Sequence, residues 1–314
     1  MVDQVPAATN ESLIGATCAV TVPVATLWTS REAPRDVDRP ALLVPAEMRD
    51  WLGALDTPAR LDLHGRVDSQ VLLGEHVVVD AAAGEWVRVV VPGQPSTLDA
   101  RGYPGWLPAR QLTPVSAARP RGARAVLTAL TTDAYDEPDG TPVMRDVSFG
   151  TVLDTVDRCG QDEPGWIAVD VPGRDRPASV RSSDVDTHPA VIRDGQRLVA
   201  AAQAFAGLPY LWGGRSGMGV DCSGLVQLVH QRFGITIPRD AHDQAAGGTE
   251  VAPDRALPGD IYFFAGNGVD VTHVGFAAGG DRMLHAPETG RGVELVPMPE
   301  ERRRALVSAR RYWA

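Results

Sequence analysis

A glycine-rich stretch, Gly213 to Gly219, runs directly into Asp221-Cys222-Ser223-Gly224 and an apolar helical repeat. This passage constrains the fold more than any other. Asp221 and Ser223 are helix-start residues. Leu225, Val226, Leu228, Val229 and Phe233 recur with helical spacing, and Gly234 is a natural C-cap. The spacing therefore puts Cys222 in or just before the first turn of a helix. Unpaired N–H groups at such a start favour negative charge, so a lowered thiol pKa is expected, and a nearby imidazole would lower it further.

A lone cysteine is more often a small buried hydrophobe than a reagent. Cys18, in CAVTVPV, and Cys159, in DTVDRCGQDEPG, fit that description. The residues around Cys222 leave both readings open, and the histidines tip the balance. His273 lies in the alternating run DVTHVGFAAGG, which reads as a strand. His285, in DRMLHAPETG, reads as the next strand, joined to the first by the turn Gly279-Gly280-Asp281. Two antiparallel strands can present both imidazoles on one face. Cys222 would then be the nucleophile, His273 its general base and His285 the group that orients the base. His64, His76, His188, His230 and His242 read as packing or surface residues. Zinc sites favour close ligand pairs such as CxxC or HxxxH, so a Cys–His–His metal site ranks below the nucleophile. No metal or organic cofactor is called for.

The chain has 314 residues, room for two or three domains. Its net charge is −10, from 40 acidic and 30 basic side chains, which argues against nucleic acid or an anionic membrane as partner. Three widely spaced cysteines do not make a disulfide framework. The start MVDQVPAATNES has neither a basic nor an apolar leader region, and no apolar run reaches membrane-spanning length. A monomer in the reducing cytoplasm is the simplest expectation, with export by another route left open.

The region before Val191 carries a weak repeat. Trp86-Val-Arg-Val-Val-Val-Pro-Gly returns as Trp166-Ile-Ala-Val-Asp-Val-Pro-Gly, each copy after a strand-like run and a polar turn. Short strands with regular turn signals read as small β-barrels. The first spans about 13–117 and the second 121–187, with seams in SAARPRGAR (116–124) and near Thr187-His188-Pro189. ALLVPAEMRDWLGAL, residues 41–55, has helical periodicity and interrupts the first barrel. It reads either as a surface insertion packed on the barrel or as a wall beside a site. Trp86, Trp106 and Trp166 read as barrel core.

The ordered blocks LPYLWGG, DCSGLVQ, PRDAHDQ, LPGDIYFF, THVGF and LHA closely resemble the NlpC-type cysteine peptidases of bacterial cell-wall metabolism. The resemblance covers residues 191–314. It implies an α+β fold: a papain-like peptidase domain, here preceded by two units that resemble bacterial SH3-like barrels. It also implies cleavage of the γ-D-glutamyl to diamino-acid bond of peptidoglycan stem peptides. By motif, Cys222 matches the nucleophile, His273 the base and His285 the third polar residue. Tyr210 matches a tyrosine near the oxyanion, and Trp212, Asp221, Ser223 and Arg239 match residues that line the substrate site. A serine often follows PRD in that family; Ala241 stands here, so one substrate contact is expected to be missing.

Tandem SH3-like units with an insertion resemble one subgroup, the γ-D-glutamyl-L-diamino acid endopeptidases of murein-peptide recycling. There the first barrel closes the cleft and an acidic residue binds the free amine of L-Ala. Glu75, in SQVLLGEHV, is the candidate acid, although a solvated turn carboxylate is an equal reading, and Tyr103 is the aromatic candidate. The expected partner is the peptide L-Ala-γ-D-Glu-diamino acid. The alternatives are an exported enzyme that trims intact wall and a non-catalytic wall-binding protein, and the complete Cys–His–His set argues against the latter.

Overall fold

The computed structural model describes residues 10–115, 123–157, 163–188 and 193–313. Cys159, Pro189 and most of the 116–124 seam lie outside the described residues.

The first unit is a seven-stranded antiparallel sheet. Its strand order is Val67–Leu72, Val24–Trp28, Tyr103–Pro108, Trp86–Val91, His76–Ala83, Thr17–Val20 and Leu112–Pro114. Valine-rich alternation builds it, since branched side chains suit a pleated, half-buried surface. Gly84, at φ +63, makes the tight turn between His76–Ala83 and Trp86–Val91. The repeated tryptophans open corresponding strands: Trp86 starts a strand paired with Tyr103–Pro108, and Trp166 one paired with Ala178–Arg181. Trp166 is buried, while Trp86 and Trp106 only pack against the core from partly buried positions.

The stretch 41–55 is less helical than its periodicity suggests. A 3-10 turn covers Asp36–Leu42, and α1 begins only at Met48 and runs to Ala54. Pro45 intervenes, and the residue before a proline is pushed away from helical angles. A second short helix, α2, spans Thr57–Leu61. Trp51 of α1 is fully buried against Trp28, with ring centroids 6.1 Å apart, and donates from Nε1 to Asp38 at 2.8 Å. The insertion thus packs on the sheet. In the turn after α2, His64 lies against the Trp212 ring, with ring centroids 4.1 Å apart.

The second unit has a four-stranded sheet, ordered Pro142–Ser148, Thr131–Tyr135, Ala178–Arg181 and Trp166–Val169, and a three-stranded sheet, Val152–Asp154, Arg124–Leu127 and Val185–Asp186.

The last unit is a mixed α/β body. Helices α3 (Gly195–Gln203) and α4 (Cys222–Arg232) pack on a six-stranded antiparallel sheet, with short α5 (Ala241–Ala246) and α6 (Glu300–Ala305) beside it. The sheet order is Thr249–Val251, Leu306–Arg311, Ile261–Phe264, His273–Gly279, Arg282–His285 and Glu294–Pro297. Every residue of α4 from Cys222 to His230 is buried, as expected of a helix covered on all sides.

The glycine-rich stretch makes that coverage possible. A side chain at Gly213, where φ is +70, would lie 2.5 Å from Val67 of the first unit. One at Gly217 would lie 1.7 Å from the Leu130 carbonyl of the second. Beside them Trp212 Nε1 donates to the Val67 carbonyl at 2.9 Å, and Gly217 N to Ser148 Oγ at 2.8 Å. One hydrophobic cluster runs from the first sheet through α4 into the last sheet. The start of α4 therefore lies at the seam between units.

Candidate active site

Asp221 is the N-cap of α4 and extended in backbone, and its Oδ1 accepts the Gly224 N–H at 2.7 Å. This is the helix start that the residues predict. Arg239 lies fully buried beneath it. Its guanidinium donates to Asp221 Oδ2 at 2.6 Å, Asp221 Oδ1 at 3.1 Å, Ser223 Oγ at 2.9 Å and Ser69 Oγ at 2.8 Å. Ser69 comes from the first unit, so Arg239 ties that sheet to the residues flanking the thiol. Four of its N–H groups are directed at protein, which makes it an anchor of the site.

The thiol itself departs from expectation. Burial, together with the Asp221 carboxylate, pushes Cys222 up to about 12, against the opposing pull of the Val274 and Ser223 N–H groups and Arg239. The helix-start argument predicts a lowered value, but desolvation outweighs the dipole here. At neutral pH the resting group is a neutral thiol.

His273 and His285 meet as the strand pattern predicts. His273 Nε2 and His285 Nδ1 are 2.7 Å apart, and both rings are buried. Burial, the Arg302 charge and the neighbouring imidazole hold His273 well below the usual histidine range. Burial and Arg302 bring His285 down to about 4, although Glu294 opposes them. Both rings are neutral at neutral pH. His285 Nε2 in turn lies 3.2 Å from Glu294 Oε1. Glu294 stands directly opposite His285 in strand register, and Arg291 Nη2 grips its two oxygens at 2.8 and 2.7 Å. Such a set can take a thiol proton during attack, with no preformed ion pair.

Tyr210 is buried near this group, and burial, Cys222 and Asp221 together hold its phenol well above the usual range, so it remains a donor. Tyr103 of the first unit is buried too, and its hydroxyl donates to Asp240 Oδ2 at 3.1 Å. Asp68, on the strand Val67–Leu72, stands with them. Burial and the Asp240 charge push Asp68 up to about 6, with Arg239 opposing. Burial likewise raises Asp240, chiefly against the Arg239 charge. Neither Asp68 nor Asp240 was singled out by sequence. Asp68 is one carboxylate in a valine-rich strand, and only packing distinguishes it from its neighbours.

Glu75 is the correction. Its carboxylate takes two charge-assisted bonds from fully buried Arg215, at 2.9 and 2.8 Å, and further bonds from Gln231 at 2.6 Å and the Leu72 N–H at 2.8 Å. Burial opposes its charge, and Arg215 more than compensates, leaving its pKa lowered. Gln231 sits nine residues after Cys222 on α4, about 13 Å along the helix. Glu75 is thus committed to an ion pair that clamps the first unit to the last, in place of the solvated turn carboxylate that its sequence neighbours allow.

Among the described residues, the acidic and imidazole donor atoms that converge within 4.8 Å belong to Asp240, His242 and Asp243, not to the Cys–His–His set. Tyr103 already occupies Asp240, and the Thr97 N–H and hydroxyl occupy Asp243 at 3.0 and 2.8 Å. No helix of the described residues is long and apolar enough to cross a membrane.

The sequence profile of the NlpC/P60 family matches residues 207–311, which include Tyr210, Cys222, His273 and His285. A Bacillus subtilis protein named gamma-D-glutamyl-L-lysine dipeptidyl-peptidase is 37% identical over 282 residues, covering 88% of this chain and 92% of its own length. A Bacillus cereus protein of the same name is 32% identical over 294 residues, covering 89% and 85%. A crystal structure of an NlpC/P60 family protein from Bacillus cereus superposes with a TM-score of 0.89 at 31% identity, over 95% of this chain and all of the other. The likeness thus extends through the two sheet units as well as the thiol-bearing body.

Proposed function

The chain belongs to the NlpC/P60 family and is a cysteine peptidase acting on peptidoglycan peptides, and on that premise we propose that it cleaves after D-Glu in L-Ala-γ-D-Glu-diamino acid peptides whose L-Ala amine is free. The observation that carries this reading is the group of Asp68, Asp240 and Tyr103 from two units, standing beside the anchor of the thiol helix. Two carboxylates crowded in a partly desolvated place are costly unless a cation joins them. An α-ammonium is such a cation. The relatives' shared name describes release of a dipeptide, which fits a cleft closed two residues upstream of the scissile bond.

We read the two sheet units as SH3-like domains over about 13–117 and 121–187, and residues 191–314 as the papain-like domain. The first unit, through Asp68 and Tyr103, is the wall of the cleft. Cys222 Sγ attacks the γ-carbonyl of D-Glu as His273 Nδ1 takes the thiol proton. The oxyanion is met by N–H groups at the α4 start and by the Tyr210 hydroxyl. The protonated His273 then gives its proton to the departing α-amine of the diamino acid, leaving a thioester. Water, deprotonated by His273, hydrolyses the thioester and restores the thiol. Substrates of this kind are free fragments of murein, so the reading assigns the enzyme to peptide recycling in the cytoplasm.

Mass spectrometry of defined tripeptides tests it, with L-lysine or diaminopimelate third and the L-Ala amine free or acetylated. Free peptides are expected to be cleaved and acetylated peptides and intact sacculi left nearly untouched. Equal rates on free and acetylated peptides overturn the recycling role and leave the cysteine peptidase standing.

A further inference from the structure

The hydrogen-bond chain behind the thiol does not end at His285. His273 Nε2 meets His285 Nδ1 at 2.7 Å, His285 Nε2 meets Glu294 Oε1 at 3.2 Å, and Arg291 holds both oxygens of Glu294. The backbone braces the far end of this chain. Glu294 is the register partner of His285, and the Arg291 carbonyl accepts the Tyr210 N–H at 2.9 Å.

Each link has a direction. A carboxylate accepts and does not donate, so His285 must carry its proton on Nε2. His285 stays neutral because burial and Arg302 disfavour its charge. Its Nδ1 is then a bare acceptor, and His273 must donate to it from Nε2. His273 is neutral for similar reasons, with Arg302 and His285 both opposing a proton. Its own Nδ1 is therefore left without hydrogen, the state required of a base for a neutral thiol. With Glu294 removed, nothing at Nε2 demands a proton. His285 can then carry its hydrogen on Nδ1 and donate to His273 Nε2. That reversal puts a hydrogen on His273 Nδ1 and removes the base.

We propose that Glu294, held by Arg291, is a positioning residue that selects the tautomer of His285 and, through it, the tautomer of His273. The proposal rests on the reading of Cys222 as nucleophile and His273 as base. In the serine-protease triad, loss of the carboxylate that fixes the base's tautomer drops kcat by about 10⁴. Glu294 acts one ring further away, so Glu294→Ala should lower kcat by about 10- to 100-fold with KM little changed. Glu294→Asp, which keeps an acceptor-only group, should recover part of that loss.

The decisive readout is ¹⁵N NMR of histidine-labelled protein at neutral pH. The unmutated enzyme should show His273 and His285 both protonated on Nε2. Glu294→Ala should show a growing Nδ1–H form at both rings, with an unchanged melting temperature confirming the fold. Unchanged tautomers in Glu294→Ala, or a shift in tautomer with kcat within twofold of the parent, overturn the proposal. Turnover by Cys222→Ala, measured alongside, separates the two ideas: retained activity would sink the nucleophile assignment, while the NMR result would still decide the tautomer.

Discussion

Asp68→Asn is the perturbation that tests the cleft wall most directly. Asp68 lies half-buried beside Asp240 and Arg239, and its pKa of about 6 means that it bears its charge only part of the time near that pH. A bound ammonium favours the charged form, so binding draws a proton off Asp68. The contact is charge-assisted and worth roughly 1.5–3 kcal/mol. At about 1.4 kcal/mol per decade, the substitution should raise KM for L-Ala-γ-D-Glu-L-Lys by about 10- to 150-fold. The amide keeps the shape and loses the charge, so KM for the N-acetylated peptide should change little. The pH dependence supplies a second test. KM of the unmutated enzyme for the free peptide should rise as pH falls through about 6, where Asp68 takes up its proton. The same curve for Asp68→Asn should flatten. His273 does not confuse the result, because it is held well below the ordinary histidine range and affects kcat at lower pH. Initial rates by liquid chromatography and mass spectrometry give both parameters. If Asp68→Asn raises KM for free and acetylated peptides by the same factor, the carboxylate does not read the amine.

Cys222→Ala and Cys222→Ser should remove turnover by a factor on the order of 10⁶ while the fold persists, with His273→Ala nearly as severe and His285→Ala milder; a murein tripeptide assay checks this, and near-parental hydrolysis by Cys222→Ala contradicts it. Iodoacetamide should label Cys222 slowly at neutral pH, at a rate that climbs steadily as pH rises toward about 12; a rate already at its plateau near neutrality would reveal a thiolate–imidazolium pair instead. Glu75→Ala should cost about 3–5 kcal/mol in urea unfolding, because it strands the buried Arg215 charge. KM of the folded enzyme should not move, and a rise for free peptides alone would return Glu75 to the amine site.

Much of the site is legible because local chemistry decides it. A capping aspartate, a run of helical apolar spacing and an alternating strand each specify their own geometry, so Cys222 at a helix start and paired imidazoles on adjacent strands follow from neighbouring residues alone. The misreadings share one cause: each depends on what distant parts of the chain lay over the element. Cys222 sits where a helix dipole favours a thiolate, yet burial at the seam between units reverses the outcome. Asp68 lies within the strand Val67–Leu72 and Glu75 just beyond its end, each a single carboxylate. Glu75 points at Arg215 and is consumed by it, whereas Asp68 faces Asp240, with an Arg239 committed to Asp221 offsetting the two charges only in part. No local pattern distinguishes them, because each deciding partner lies more than a hundred residues away, Arg215 on the short strand Arg215–Ser216 before α4 and Asp240 at the start of α5. Glu294 follows the same logic. It becomes meaningful only once strand pairing sets it opposite His285, since a carboxylate next to an unpaired surface histidine dictates nothing about a ring two steps removed. In this chain, the thiol and its imidazoles are written locally, and the charge states that make them work are written in the packing between units.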